Sequence, residues 1–181
     1  YLPLAACLAG KHSHTPIVVG INGRQCAGKS TLSKILKALL THGFDKSVVH
    51  LSIDDLYLSR SRREALAQSV HPLFKTRGVP GTHDVELGKT ILSALTRGDS
   101  ALPIKIPVFD KAQDDLLPES EWLTVDEPAD IIFFEGWCVG SQAQNQEALN
   151  DSVNDLEQSE DEHAVWRKYV NAQLEGPYQE L

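Results

Sequence analysis

The octapeptide Gly23-Arg24-Gln25-Cys26-Ala27-Gly28-Lys29-Ser30, with Thr31 behind it, fits the spacing G-x-x-x-x-G-K-[ST]. A turn of backbone N–H groups at the start of a helix offsets the crowded charge of a polyphosphate through short hydrogen bonds and the helix dipole. In that chemistry Gly23 and Gly28 supply the turn and the close approach. Lys29 reaches the β- and γ-phosphates, and the Ser30 hydroxyl is placed to ligate Mg²⁺. Two carboxylates extend the set. Asp54, in "SIDD", can orient an acceptor hydroxyl and take its proton, and Glu135, in "IIFFEG", can hold Mg²⁺ directly or through water. The plainer alternatives are that Asp54 and Asp55 start a turn and that Glu135 is a solvated strand end.

These residues work together only if the elements around them converge. Pro16 to Gly23 is a short apolar run rich in β-branched residues that stops at glycine, the pattern of a buried parallel strand feeding a turn. After the loop, Leu32, Ile35, Leu36, Leu39 and Leu40 recur at helical spacing, with Lys34 and Lys37 on the other face and His42-Gly43 as a stop. Strand, glycine loop and helix in that order separate a working phosphate loop from a chance match. Ser47 to Asp55 reads as a second strand and Ala129 to Gly136 as a third. Buried strands alternating with helices predict an α/β fold with a doubly wound parallel sheet. Ligands of such sheets sit beyond the carboxyl ends of the strands, where the loop, Asp54, Asp55 and Glu135 would meet.

Leu58 to Pro128 is longer than a crossover needs and reads as the part that recognises the acceptor. It holds the turn-rich "RGVPGTHD", a helix predicted from Asp84 to about Leu95, and "LPIKIPVFDK". Arg77, His83 and Asp84 fall in the turn-rich part. Asp84 fits a ligand wall and a helix N-cap equally, and Arg77 is either a fork for a carboxylate or a solvated charge, as Arg60, Arg62 and Arg63 are expected to be. Ser141 to His163 is polar and acidic and reads as a surface excursion. Trp166, Tyr169, Val170, Gln173 and Leu174 mark an amphipathic helix ended by Gly176-Pro177.

Composition bounds the rest. The 181 residues suit one domain, and the formal charge of −8 with no clustered Lys/Arg footprint argues against a nucleic-acid surface. Cys7, Cys26 and Cys138 have no framework or CxxC spacing and read as reduced thiols of a cytoplasmic protein; Cys26 fills a loop position. The apolar opening "YLPLAACLAG" is too short to span a bilayer and reads as a docking helix or strand. Trp122, Trp137 and Trp166 are too dispersed for a base-stacking platform and default to packing. The sequence contains no methionine, so it is read as an incomplete translation product.

"GINGRQCAGKSTL", "SIDDLY", "RGVPGTHD", "IKIPVFDK" and "IIFFEGWCVG", in this order, resemble the D-glycerate 3-kinase branch of the phosphoribulokinase, uridine kinase and pantothenate kinase superfamily. The resemblance runs from about Ile17 to the end of the chain. It implies a P-loop kinase fold, ATP and Mg²⁺ as cofactors, and transfer of the γ-phosphate to D-glycerate, giving 3-phosphoglycerate. It matches Asp54 to the base, Lys29 and Ser30 to the phosphate-binding lysine and the magnesium-binding hydroxyl, and Glu135 to the acidic residue of the third strand. Tyr57 closes the D-D-[FL]-Y stretch, and Arg77, His83, Asp84 and Lys105 fall in segments that face the acceptor. Many members carry glycine where this chain has Cys26. Members also continue beyond "EGPYQEL" with further strands, lid arginines and part of the adenine pocket; without these the first strand would lack a neighbour. The nearest alternatives are a nucleoside, pantothenate or another sugar acid as acceptor, or an ATP-binding module without turnover. The absence of an NKxD guanine-reading motif disfavours a GTPase switch.

Overall fold

Strand-forming and helix-forming stretches alternate along the chain, and the computed structural model, which describes residues 1–11 and 15–181, follows that alternation. Helix α1 (Leu2–Ala9) precedes β1 (Ile17–Asn22), α2 (Lys29–Phe44) and β2 (Val48–Ser52). Helices α3 (Arg60–Ser69) and α4 (Val85–Thr96) come next, then the short strands β3 (Ile104–Ile106), β4 (Phe109–Asp110), β5 (Asp115–Leu116) and β6 (Leu123–Val125). Strand β7 (Ile131–Gly136) and helices α5 (Asp155–Glu160) and α6 (Val165–Glu175) follow.

The run Ile131-Ile132-Phe133-Phe134 has no polar face to offer water, and all of β7 is buried as the central strand of a parallel sheet of order β1-β7-β2. Alternation sends Ile131 and Phe133 to one face, against Leu36 and Leu40 of α2 and Ala5 and Leu8 of α1. Ile132 and Phe134 face the other way, against Ile91, Leu92 and Leu95 of α4 and Ile104 and Ile106 of β3. Helices therefore cover both faces, as the doubly wound prediction requires. Burial of each such aliphatic side chain contributes about 1.5–3 kcal/mol, which fixes the register that brings Ser52 beside Glu135.

Several expectations need correction. Strand β1 is not buried throughout: it lies at the sheet edge, and Val18 is 47% exposed. A short apolar run looks the same at an edge and in a centre, so periodicity does not separate them. Helix α2 passes through Gly43 and ends where Asp45 adopts φ 53°, the left-handed conformation that Asp tolerates better than most residues. Of the two forms expected for the opening residues, helix or strand, the chain takes the helix, α1.

Residues 141–163 are not only a surface excursion. Leu149, Glu157 and Asp161 are buried, and Asp161 accepts from the Trp166 N–H at 2.8 Å and the Arg167 N–H at 3.0 Å, capping α6. Arg167, also buried, pairs with Asp161 and donates to the carbonyls of Leu149 and Asn150. Arg63 is likewise no solvated charge. It is 0% exposed and donates to the carbonyls of Leu58, Lys75 and Asp114 and to the Asp114 carboxylate at 2.9 Å. Truncating it strands those acceptors, so Arg63→Ala is expected to lower unfolding free energy by about 3 kcal/mol in urea titration, against less than about 0.5 kcal/mol for Arg60→Ala.

Candidate active site

The glycine loop leaves β1 at its carboxyl end and re-enters helix at Lys29. Gly28, the N-cap of α2, has φ 88°, a conformation that glycine adopts without strain. Cys26 has φ 61°, so this loop holds a side chain in the left-handed region where glycine is the easier residue. Its thiol is exposed, as are Arg24, Gln25 and Ala27. The Lys29 ammonium folds back on the loop and donates to the Gly23 carbonyl at 2.8 Å and the Arg24 carbonyl at 3.0 Å. Thr31 is exposed on the first turn of α2 and does not line the cleft described below.

Alternation along β7 turns Glu135 toward α2. The Ser30 hydroxyl donates to Glu135 Oε1 at 2.8 Å and the Ser33 hydroxyl to Oε2 at 3.3 Å, while His50 Nε2 of β2 lies 3.6 Å from Oε1. Glu135 is 4% exposed, so its carboxylate is held in place rather than solvated. A hydroxyl and a carboxylate side by side form a hard-oxygen donor pair of the kind Mg²⁺ takes together with water and phosphate oxygens. Among the described residues there is no group of three His, Cys, Asp or Glu that could hold a metal by itself. Gly136 follows because there is no room for more: a Cβ there would stand 2.3 Å from Ile53 Cγ2.

Strand β2 ends in a tight helical turn, Ile53–Leu56, capped by Ser52, whose hydroxyl accepts from the Asp54 N–H at 3.3 Å. That turn directs Asp54 and Asp55 differently. Asp54 Oδ2 accepts from the Lys111 ammonium at 2.6 Å, and Tyr57 stands in the cleft wall with it. Burial pushes the Asp54 carboxyl up, but Lys111 and Tyr57 outweigh it and hold the group below the ordinary Asp value. Asp55 instead accepts from the Phe109 N–H at 3.3 Å, and burial, opposed by that bond, raises its carboxyl to about 6.

Folding thus binds extra protons at Asp55 between its unfolded value and about 6, so this group's contribution to stability falls as pH rises through that window. Asn keeps the acceptor oxygen and has no charge to bury. Asp55→Asn is therefore expected to be more stable at pH 7.5 by on the order of 1–2 kcal/mol and near parity at pH 4, by thermal unfolding at both pH values.

Gln25, Cys26, Lys29, Ser30, Ser52, Asp54, Tyr57, Thr76, Arg77, Gly78, Lys111, Glu135, Gly136 and Trp137 wall a single cleft of about 540 Å³. Loop, strand tips and the 58–128 segment therefore converge, as the sheet geometry predicts. Arg77 is in the wall, but its guanidinium is paired with Asp114 and lies over the Phe109 ring at 5.4 Å. His83 does not line the cleft. It is 5% exposed, stacked behind Tyr57 at 4.4 Å between ring centroids, with Nδ1 2.6 Å from the Tyr178 hydroxyl. Burial lowers its imidazole to about 3, so it stays neutral and holds Tyr57. Asp84 caps α4, accepting from the Leu87 N–H at 3.1 Å, and pairs with Arg62. Lys105 donates to the Thr124 hydroxyl across the β3–β6 pair and stands outside the cleft wall.

Four participants escaped the sequence reading: Lys111, Trp137, Asp114 and Tyr178. Lys111 ends the quoted "IKIPVFDK", so the segment was legible and the residue was not. Trp137 donates through Nε1 to the Gly78 carbonyl at 2.8 Å, and Tyr178 accepts from the Gly81 N–H at 2.9 Å.

No family model matches the chain. It is 37% identical over 132 residues to an uncharacterized kinase, mug58, of Schizosaccharomyces pombe, covering 69% of this chain and 47% of that protein. It is 30% identical over 168 residues to the chloroplastic D-glycerate 3-kinase of Arabidopsis thaliana, covering 87% of this chain and 37% of that protein. With a pantothenate kinase of Streptococcus mutans it shares 32% over 133 residues, 74% of this chain and 40% of that one. The chain thus spans less than half the length of these curated relatives. Among solved structures, a D-glycerate 3-kinase of Cryptococcus neoformans matches in fold with a TM-score of 0.73 at 24% identity, over 96% of this chain and 65% of that one. Among the described residues no helix is long and apolar enough to cross a membrane. With the glycine loop, the β1-β7-β2 order and these relatives in agreement, the chain belongs to the phosphoribulokinase, uridine kinase and pantothenate kinase superfamily of P-loop kinases.

Proposed function

We propose that this protein is an ATP- and Mg²⁺-dependent small-molecule kinase that transfers the γ-phosphate to a hydroxyl of D-glycerate, giving 3-phosphoglycerate and ADP. The observation that carries the reading is the presence of Lys29, Ser30, Asp54 and Glu135 in the wall of one cleft. The loop amides and Lys29 hold the β- and γ-phosphates, Lys29 exchanging its two carbonyl partners for phosphate oxygens. Ser30 and Glu135 are the residues that would hold Mg²⁺, which when bound would neutralise charge on the phosphates. Asp54 orients the acceptor hydroxyl and takes its proton as the oxygen bonds to the γ-phosphorus; the bond from that phosphorus to the β,γ-bridging oxygen breaks, and ADP leaves with the electron pair.

The segment from Leu58 to Pro128 serves acceptor recognition in this reading, because it contributes Thr76, Arg77, Gly78 and Lys111 to the wall. The relative named D-glycerate 3-kinase supports the acceptor, and the relatives named pantothenate kinase make pantothenate its main competitor. ADP release measured with D-glycerate, pantothenate, uridine and a second sugar acid tests it: D-glycerate is expected to give the highest kcat/KM. Turnover with pantothenate or uridine and none with D-glycerate would reject the acceptor.

A further inference from the structure

Three cations stand in the cleft wall, and two are committed elsewhere. Lys29 belongs to the phosphate loop. Arg77 is paired with Asp114 and laid over Phe109. Lys111, in the turn between β4 and β5, differs: its side chain is 61% exposed, and its ammonium rests on Oδ2 of the candidate base Asp54 at 2.6 Å.

That contact occupies one oxygen of the base. An acceptor hydroxyl that approaches Asp54 therefore takes the other oxygen beside the ammonium, or moves Lys111 aside. An acceptor with only hydroxyl groups brings no counter-charge of its own to that ammonium. An acceptor that also carries a carboxylate exchanges one ion pair for another, because its carboxylate takes Lys111 while its hydroxyl takes Asp54.

Resting on the kinase reading above, we infer that Lys111 is the anchor for the acceptor's carboxylate, and that its contact with Asp54 restricts the acceptor to short hydroxy acids. Since the ammonium sits 2.6 Å from Asp54 Oδ2, groups bound to the two side chains lie close together, no more than about 8 Å apart at ordinary hydrogen-bond lengths. A three-carbon hydroxy acid meets that spacing without strain. Pantothenate, whose terminal hydroxyl is separated from its carboxylate by an amide and several carbons, meets it only by folding back, at a cost in conformational entropy. The geometry therefore favours one acceptor class among those that the relatives' names present.

The experiment compares wild type, Lys111→Met and Lys111→Arg with D-glycerate, glycerol and pantothenate, recording KM and kcat for each acceptor and KM for ATP. Lys111→Met is expected to raise KM for D-glycerate about 10- to 100-fold, the range for a lost charge-assisted hydrogen bond, with KM for ATP within about twofold of wild type. Its preference for D-glycerate over glycerol should shrink accordingly, and Lys111→Arg should recover most of it. An unchanged KM for D-glycerate in Lys111→Met, or a parallel rise in KM for ATP, overturns the assignment while leaving the kinase reading intact. Wild type that prefers pantothenate overturns the length restriction. Wild type that phosphorylates no hydroxy acid removes the proposed function, and this inference falls with it.

Discussion

Asp54→Asn is expected to lower turnover with D-glycerate about 10³-fold and to leave MgATP affinity within about twofold of wild type. The amide keeps the size of the carboxylate and one acceptor oxygen, yet it cannot take a proton. The fold should tolerate the change. Asp54 is 32% exposed and its partner Lys111 61%, and an ion pair of that exposure contributes about 0–1 kcal/mol. Nucleotide binding by calorimetry and turnover by ADP release read the two effects separately. A module that only binds ATP would show no turnover to lose, and a base placed elsewhere would leave the rate of Asp54→Asn near that of wild type. Because Lys111 and Tyr57 hold Asp54 below the ordinary Asp value, it is ionised throughout the neutral range. The acid limb of kcat/KM should therefore fall below the usual carboxylate range, and it should disappear in Asp54→Asn.

The second large effect is at Lys29. Lys29→Met is expected to weaken MgATP binding and to cut the rate of phosphoryl transfer about 10²- to 10³-fold, because a fixed charge at the developing negative charge is lost. Lys29→Arg should restore little. The ammonium is a compact donor, and its present partners, the Gly23 and Arg24 carbonyls at 2.8 and 3.0 Å, outline a space that a planar guanidinium does not fill. Stability should change by less than about 0.5 kcal/mol, since the bonds lost belong to a partly exposed loop. Equilibrium nucleotide binding and single-turnover kinetics distinguish this outcome from simple misfolding, which would show in the unfolding midpoint.

What the chain announces about itself is local. The spacing from Gly23 to Ser30 and the apolar runs of β1, β2 and β7 are each contained in a few consecutive residues, so loop, strands and the convergence of Asp54 with Glu135 were legible. Asp84 fitted two roles by type alone, and the Leu87 N–H at 3.1 Å gives it the cap. The misreadings share one cause. Arg63 is charged, and charged residues are mostly exposed, but three carbonyls and Asp114 converge on it from segments up to 51 positions away. His83 and Lys105 lie in the right segments and face away from the cleft; orientation comes from packing against Tyr57 and Tyr178 in one case and Thr124 in the other. Lys111 is hidden for the same reason. Nothing in "VFDK" says that its turn folds over the Ile53–Leu56 turn, and only tertiary structure puts its ammonium on Asp54.

In the proposed reaction, loop, strand tips and both acids serve one magnesium-bound polyphosphate beside one acceptor. A crystal structure with Mg²⁺ and a non-hydrolysable ATP analogue tests it most directly. Expected are β- and γ-phosphates on the amides of residues 23–30, Lys29 turned from its loop carbonyls onto phosphate oxygens, the metal beside Ser30 and Glu135, and Asp54 facing the γ-phosphorus. A nucleotide bound elsewhere, or one seated on the loop with Asp54 directed away from the γ-phosphate, would contradict it.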